Sequence, residues 1–319
     1  MTLLALLAAR QTDSPSNPPV GEVVMPTPPY NAAQYLAIPT PDATNQATHP
    51  SIVDMGEPGW NGWRYWMAMT PYEGGKVRLE NPCVIVSNDA VTWEEPAGIT
   101  NPIDPWPGGS SYNSDTDIAY DPDTNRMWLW WREAVNDRTE AIHFTSSLDG
   151  VTWAAQATAF ETDHLTKALS PAIVRVGPGD WRMWTIGYNG QPSTMRRAPS
   201  PSGPWSAPEV IALNGVTEGK PWHVDVVLDQ ASGLFHMLLN VREPWGYVPL
   251  TSPDGLNWTA RNGGRRFLTG STWDQIPYRA TFALEPNGQV YGLWYGGTLG
   301  DLSQWRIGYT RVPRSLWTG

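Results

Sequence analysis

The chain has 319 residues, 21 Lys and Arg against 31 Asp and Glu, and a net charge of −10. That balance, with no basic run, disfavours a partner tracked through its phosphate backbone, so nucleic acid is not expected. Nineteen Trp and 12 Tyr against 5 Phe suit β-structure and surfaces that stack on sugars.

The N-terminus, "MTLLALLAARQTDS", carries an apolar run far short of the ~20 residues of a membrane span, and no positive residues precede it as in a secretory signal. It reads as a short docking helix or an atypical, trimmed signal. The segment 1–47 is rich in Pro, Thr, Ala and Asn and has no strand or helix period. It is expected to be an extended arm outside the folded domain, with residues 1–45 attaching the chain to a partner subunit. The single cysteine, Cys83 in "NPCVIVS", has no disulfide partner and reads as a small buried hydrophobe.

From His49 onward one phrase recurs: a short apolar strand, a turn with Gly, Asp or Asn, and an aromatic-rich strand. The copies are "HPSIVDMGEPGWNGWRYWMAM", "DTDIAYDPDTNRMWLWW", "SPAIVRVGPGDWRMWTIG", "HVDVVLDQASGLFHMLLN" and "RATFALEPNGQVYGLWYGG". A second phrase closes four of them: "SNDAVTW", "SLDGVTW", the weaker "SPSGPW", and "SPDGLNW". Its Asp-Gly suits a tight turn with positive φ, and its Trp offers a large apolar face to the next strand. Self-similarity at about 50 to 60 residues with about four strands per unit indicates a β-propeller, all-β and five-bladed. The expected blades are 48–98, 112–160, 168–212, 222–265 and 276–313, within a domain of 48–319. A sandwich does not require such a period, and the Asp box of six-bladed sialidases has one more residue between Ser and Trp.

The strand-opening acids and this blade grammar resemble glycoside hydrolase family 43, over roughly residues 47–313. The stretch "HPSIVDM…GWNGWRYWMAMTPY…ENPCVIVSNDAVTW" also resembles propellers of phage minor tail proteins, those of actinobacterial phages among them. The first resemblance implies catalytic acids near the starts of the inner strands. In "SDTDIAYDP", Asp115 stands before Asp121 as the family's orienting Asp does, and one of Asp115 and Asp117 is expected to face the funnel. In "VTEGKPW", Glu218-Gly219 matches the family's acid Glu, with Lys220 intervening before Pro221. Where the family has its base Asp before Pro, this chain has His49-Pro50. A neutral imidazole can act as a base, but an inverting glycosidase normally uses two carboxylates.

The catalytic candidates are therefore Asp115, Glu218 and His49. The substrate-binding candidates are Asp117, His223, Asp225, Arg279, Trp222 and Trp63, with Trp60, Trp106, Trp245 and Trp273 as further indoles that either stack on sugars or pack the blades. No cofactor is expected and no metal-ligand motif stands out. The family resemblance implies only an axial calcium held through His49 or His223. The resemblances together imply a virion tail component that recognises a host-surface glycan. The alternatives are an inverting glycosidase on arabinan-type polysaccharide, secreted or at the cell surface, and a purely structural assembly module.

Overall fold

The computed structural model describes residues 23–135, 139–163, 168–187 and 190–319, so the apolar run at the N-terminus lies outside the described residues. Five sheets, antiparallel except for one outer pair, form the five blades. Blade one holds β1 (Ala47–Asp54), β2 (Tyr65–Pro71) and β3 (Cys83–Ser87). Blade two holds β4 (Tyr112–Asp121), β5 (Arg126–Val135), β6 (Thr139–Ser147) and β7 (Ala157–Asp163). Blade three holds β8 (Leu169–Gly177), β9 (Asp180–Ile186), β10 (Thr194–Ala198) and β11 (Glu209–Val210). In blade four, β12 (Ala212–Asn214) runs parallel to β16 (Asn257–Ala260), outside β15 (Gly246–Ser252), β14 (Leu234–Arg242) and the inner β13 (Lys220–Asp229). Blade five holds β17 (Ile276–Leu284), β18 (Val290–Thr298) and β19 (Trp305–Pro313), and the four-residue helix α1 (Ser315–Thr318) follows it.

The middle strands of the blades are buried on both faces, which is why they read as near-continuous apolar and aromatic runs. Their side chains pack between blades. Trp66, Val84 and Val86 of blade one meet Ile118, Leu129 and Trp131 of blade two, and Trp184 of blade three meets Phe235 and Trp258 of blade four. Cys83 is fully buried, as its strand context indicates.

The arm behaves differently from expectation over its described part. Residues 30–46 lie against the domain, largely along blade five, instead of standing off it. Leu36 donates its N–H to Ile307 O at 2.8 Å, and Tyr35 bridges Gly308 in antiparallel register. Ala32 donates to the Tyr295 hydroxyl at 2.9 Å, Trp273 Nε1 donates to Ala32 O at 3.0 Å, and Ile38 is fully buried. The segment supplies the outer edge that a three-stranded blade lacks, and the chain then enters β1. An edge strand with unpaired backbone groups gains hydrogen bonds and loses its aggregation hazard when covered in this way.

The repeated closing phrase is a side-chain-built turn. In its second copy Ser147 Oγ accepts from the Asp149 and Gly150 N–H groups, Asp149 Oδ1 accepts from Val151 and Thr152, and Trp153 Nε1 donates to Gly150 O. The same bonds recur at Ser87, Asp89, Ala90 and Trp93 and at Ser252, Asp254, Gly255 and Trp258. The echo at Ser200 departs from them: its hydroxyl donates to Gly203 O, and no Asp is present to organise the loop.

Two predictions follow from this turn. Gly150 has φ +76°, and a Cβ there would lie 2.0 Å from Trp66 Cη2. Gly150→Ala is expected to destabilise by about 2 kcal/mol or more in denaturant titration, from overpacking added to a left-handed backbone. The N–H groups of Thr152 and Val151 hold the Asp149 carboxyl down to about 2. Its stabilising contribution is therefore complete above the unfolded value of ~3.9 and is lost as pH falls through the folded one. The melting-temperature gap between wild type and Asp149→Asn should be widest near neutrality, narrow below about pH 4 and close as pH falls to about 2.

Candidate functional site

Each inner strand opens with a β-bulge, at His49-Pro50, Asp115-Thr116, Ser170-Pro171, Trp222 and Tyr278-Arg279. A bulge places an extra residue against its partner strand and re-aims a side chain. His49, Asp115 and Ser170 take positive φ there, at 53°, 50° and 53°. Such conformations are costly for residues other than Gly and persist where the surroundings enforce them. With His223 and Arg279, these residues form one layer, the lead position of each blade.

What enforces the layer is a set of hydrogen bonds two and three residues further along. Ile118 N–H of blade two donates to Ser51 Oγ of blade one at 3.1 Å, and Ile173 N–H of blade three donates to Asp117 of blade two at 2.7 Å. Phe282 N–H of blade five donates to Asp225 of blade four at 3.1 Å, and Ile52 N–H of blade one donates to Thr281 Oγ1 of blade five at 3.2 Å. The remaining seam has Ala172 where the others have an acceptor. There Ser170 Oγ, at the lead position, bonds Val224 N–H at 3.2 Å and Val224 O at 3.3 Å instead. Asp117 and Asp225, expected to bind substrate, thus tie blades together beneath the site.

Above this ring lies a cavity of about 280 Å³. His49, Asp115 and His223 line it, with Glu80, Arg132 and Ser114, and the walls are Tyr72, Tyr112, Leu169, Trp222 and Tyr278. The His49, Asp115 and His223 side chains are at most 3% exposed. Their ligand atoms all lie within 4.8 Å of one another: His49 Nε2 is 3.5 Å from Asp115 Oδ1, and His223 Nδ1 is 3.3 Å from it. His49 Nε2 and His223 Nε2 have no hydrogen-bond partner, and Asp115 Oδ1 and His223 Nδ1 have none beyond their 3.3 Å approach to each other. Buried polar atoms without partners cost free energy unless something binds them.

The surroundings prepare these atoms as ligands. His49 Nδ1 lies 3.0 Å from the buried Thr70 hydroxyl, which can accept a hydrogen bond from a proton carried on Nδ1; in that tautomer the Nε2 lone pair faces Asp115. Arg132 Nε donates to Asp115 Oδ2 at 2.9 Å and its Nη1 to Glu140 at 3.0 Å, so the carboxylate is pinned through one oxygen and offers the other. Burial lowers the pKa of both imidazoles despite Asp115, so they stand neutral, as ligands must be. Burial also pushes the Asp115 carboxyl upward, but the His49 and His223 imidazoles, while they carry a proton, and the Arg132 guanidinium outweigh it and keep it well below the ordinary range. Two imidazoles and one carboxylate with open directions into a cavity fit a catalytic divalent first-row cation better than the oxygen-only shell calcium prefers.

Glu80 is the second acid. It follows a short 3-10 turn, Val77–Leu79, in the β2–β3 connection, and its Oε1 lies 3.8 Å from His49 Nδ1. Burial, reinforced by the Asp115 charge, raises its pKa well above the usual range against the pull of Arg132 and the Ser114 hydroxyl.

The sequence-derived set is therefore partly reassembled. His49, Asp115, His223 and Trp222 line the cavity. Arg279 lies beneath it, with Nη1 3.9 Å from Asp115 and Nη2 donating to Pro171 O at 2.9 Å. Glu218 is not among the cavity residues: Arg266 Nε donates to it at 2.9 Å, and the ionised form is favoured by that bond. Trp63 is also elsewhere. The β1–β2 hairpin that carries it begins where β1 ends, at the opposite mouth of the axis, and its indole packs with Trp60 and blade two. Glu80, Arg132, Tyr72, Tyr112 and Tyr278 escaped the sequence reading. The available signals were charges inside apolar runs, as in "VRLENPCVIV" and "MWLWWREAV", and Tyr278 beside the lead residue Arg279.

No family model matches the chain. It is similar to a sugar deacetylase. The A type blood N-acetyl-α-D-galactosamine deacetylase of Flavonifractor plautii is 30% identical over 317 residues, which cover 81% of this chain and 41% of that protein. The chain thus spans about two fifths of the length of the curated relative it matches. The crystal structure of an N-acetylgalactosamine deacetylase from F. plautii, in complex with blood group B trisaccharide, superposes with a TM-score of 0.80 at 24% identity, covering 90% of this chain and 96% of that one. A family 43 glycoside hydrolase from Bacillus licheniformis gives 0.64 at 15% identity, over 85% and 55% of the two chains. A family 43 enzyme from Xanthomonas citri bound to xylotriose gives 0.60 at 11%, over 84% and 87%. The five-bladed propeller with family 43-like structural neighbours is thereby shown.

The ligand set yields a direct prediction. A first-row divalent cation at about a hundredfold its Kd should stabilise the protein by about 2.7 kcal/mol in thermal unfolding, reversibly by chelator. Asp115→Asn and His223→Ala should remove that increment, whereas Glu218→Gln should keep it.

Proposed function

We propose that the chain is the carbohydrate-acting domain of a metal-dependent hydrolase that removes the acetyl group from an N-acetylated amino sugar. The observation that carries this reading is the convergence of unpartnered His49, Asp115 and His223 ligand atoms at the floor of a cavity with aromatic walls. Similarity to a curated sugar deacetylase supports it and supplies the substrate class.

His49, Asp115 and His223 would hold the cation. Bound there, it would polarise the acyl carbonyl and lower the pKa of the attacking water. Glu80 stands beside His49 on the cavity wall; the charge of a cation held there would bring its raised pKa back down, and in the ionised form it would accept the proton of that water and return it to the departing amine. Water adds to the carbonyl carbon, the carbon–nitrogen bond breaks, and acetate and the free amino sugar leave. Tyr72, Trp222 and Tyr278 present aromatic faces to the sugar. Arg132 holds the orientation of Asp115.

An inverting glycosidase acting through Asp115 and Glu218 is disfavoured, because Arg266 holds Glu218 and only Asp115 of the pair lines the cavity. A tail-borne module that recognises a host glycan without turnover shares the carbohydrate partner but requires neither a cation nor Glu80.

The test is acetate release from terminal N-acetylgalactosaminides and N-acetylglucosaminides by the cation-loaded protein. Asp115→Asn should abolish release, and Glu80→Gln should lower kcat by about 10²-fold or more while cation binding persists. Reducing-sugar release without acetate would establish the glycosidase instead. Sugar binding without either product, unaffected by chelator, would establish the recognition module.

A further inference from the structure

A second cavity, of about 460 Å³, adjoins the first. The two share Val77, and Ser111 of the second is chain neighbour to Tyr112 of the first. Its wall is Trp106, in the connection from blade one to blade two, an indole that remains 44% exposed. The ring is nonetheless fixed, because Nε1 donates to Ser111 O at 2.8 Å across the loop. Opposite it run Gly75, Lys76 and Arg78 of the β2–β3 connection, the same connection that delivers Glu80 to the catalytic cavity. Lys76 is paired with Glu73. Arg78 is exposed, and its guanidinium makes no hydrogen bond or ion pair recorded among the described residues. Gly109 takes φ +62°, which brings the loop backbone to the cavity wall without a side chain.

We propose that this second cavity is a subsite for the next sugar residue of the same glycan, stacked on the Trp106 indole with its hydroxyls reached by Arg78. The inference rests on the acetamido-sugar reading of the first cavity and adds to it that the preferred substrate is an oligosaccharide. A cavity of about 280 Å³ lies at the small end of ligand sites, suited to one sugar residue, so the remainder of a glycan must lie outside it. The neighbouring cavity offers what a pyranose ring needs: a flat apolar face held rigid beforehand, which lowers the ordering cost of binding, and donors at its margin. Trp106 belongs to none of the blade-core clusters among the described residues, so packing does not account for its exposed indole.

The experiment compares methyl N-acetyl-α-galactosaminide with an N-acetyl-α-galactosamine-terminated trisaccharide, on wild type and Trp106→Ala, by saturation-transfer NMR and by acetate release. In the wild type, saturation should reach protons of two sugar rings of the trisaccharide. In the variant it should reach the terminal ring alone. KM for the trisaccharide should rise about tenfold, equivalent to losing one aromatic contact, while the methyl glycoside is processed as before. Transfer to the terminal ring alone in the wild type, or an equal effect of the substitution on both ligands, overturns the subsite and leaves the deacetylase reading standing. No transfer to either ligand overturns both. A Trp106→Phe variant retains a ring without the Ser111 bond and should recover most of the trisaccharide preference, which separates stacking from loss of the loop fold.

Discussion

Everything in this molecule depends on how neighbouring blades are tied at the axis. Four of five seams use one arrangement, in which a side chain two residues past the lead position accepts a backbone N–H from the next blade. These acceptors are Ser51, Asp117, Asp225 and Thr281, all at most 7% exposed. A buried N–H at the edge of an inner strand has no partner in its own sheet, so a side chain from next door must satisfy it. Once those bonds form, the azimuth and height of each strand are set, and so is the layer immediately above. The candidate site is that layer. Its precision comes from the ring beneath it, which matters because ligand sets tolerate displacements of only a fraction of an ångström.

This dependence explains what was legible in the sequence. The blade period was visible because each blade repeats the same inner strand and three share the Ser-Asp-Trp turn. The lead residues His49, Asp115, His223 and Arg279 were visible because strand starts fall at equivalent places in a propeller. Their division of labour was not. Asp115 and Asp117 look alike in "SDTDIAY", yet one reaches the cavity and the other an N–H of blade three, a distinction set by a bulge that no local signal announces. Nor could a spacing motif find three ligands contributed by three different blades.

Two errors have definite physical causes. Glu218 carries the right local phrase, but Arg266, remote in sequence, captures its carboxylate. Glu80 carries no such phrase and was passed over, although a 3-10 turn lowers it into the cavity beside His49. The Pro-rich composition of residues 23–46 pointed to an extended chain. It was silent on where that chain lies, because the receiving edge belongs to β19 at the other end of the sequence.

The seam between blades three and four has a consequence for coordination chemistry. Ala172 supplies no acceptor, and Ser170 is drawn down to hold Val224 from the lead layer. Arg279, also at a lead position, is committed to Pro171 O. Ser170 is therefore consumed in closing the ring and Arg279 is a cation with no lone pair to offer, so three of the five equivalent positions present lone pairs. In the proposed cation site, the number of ligands would then follow in part from one missing side chain in the seam. A polar acceptor at position 172 would release the Ser170 hydroxyl from the seam and change the polarity of the layer beneath the cavity.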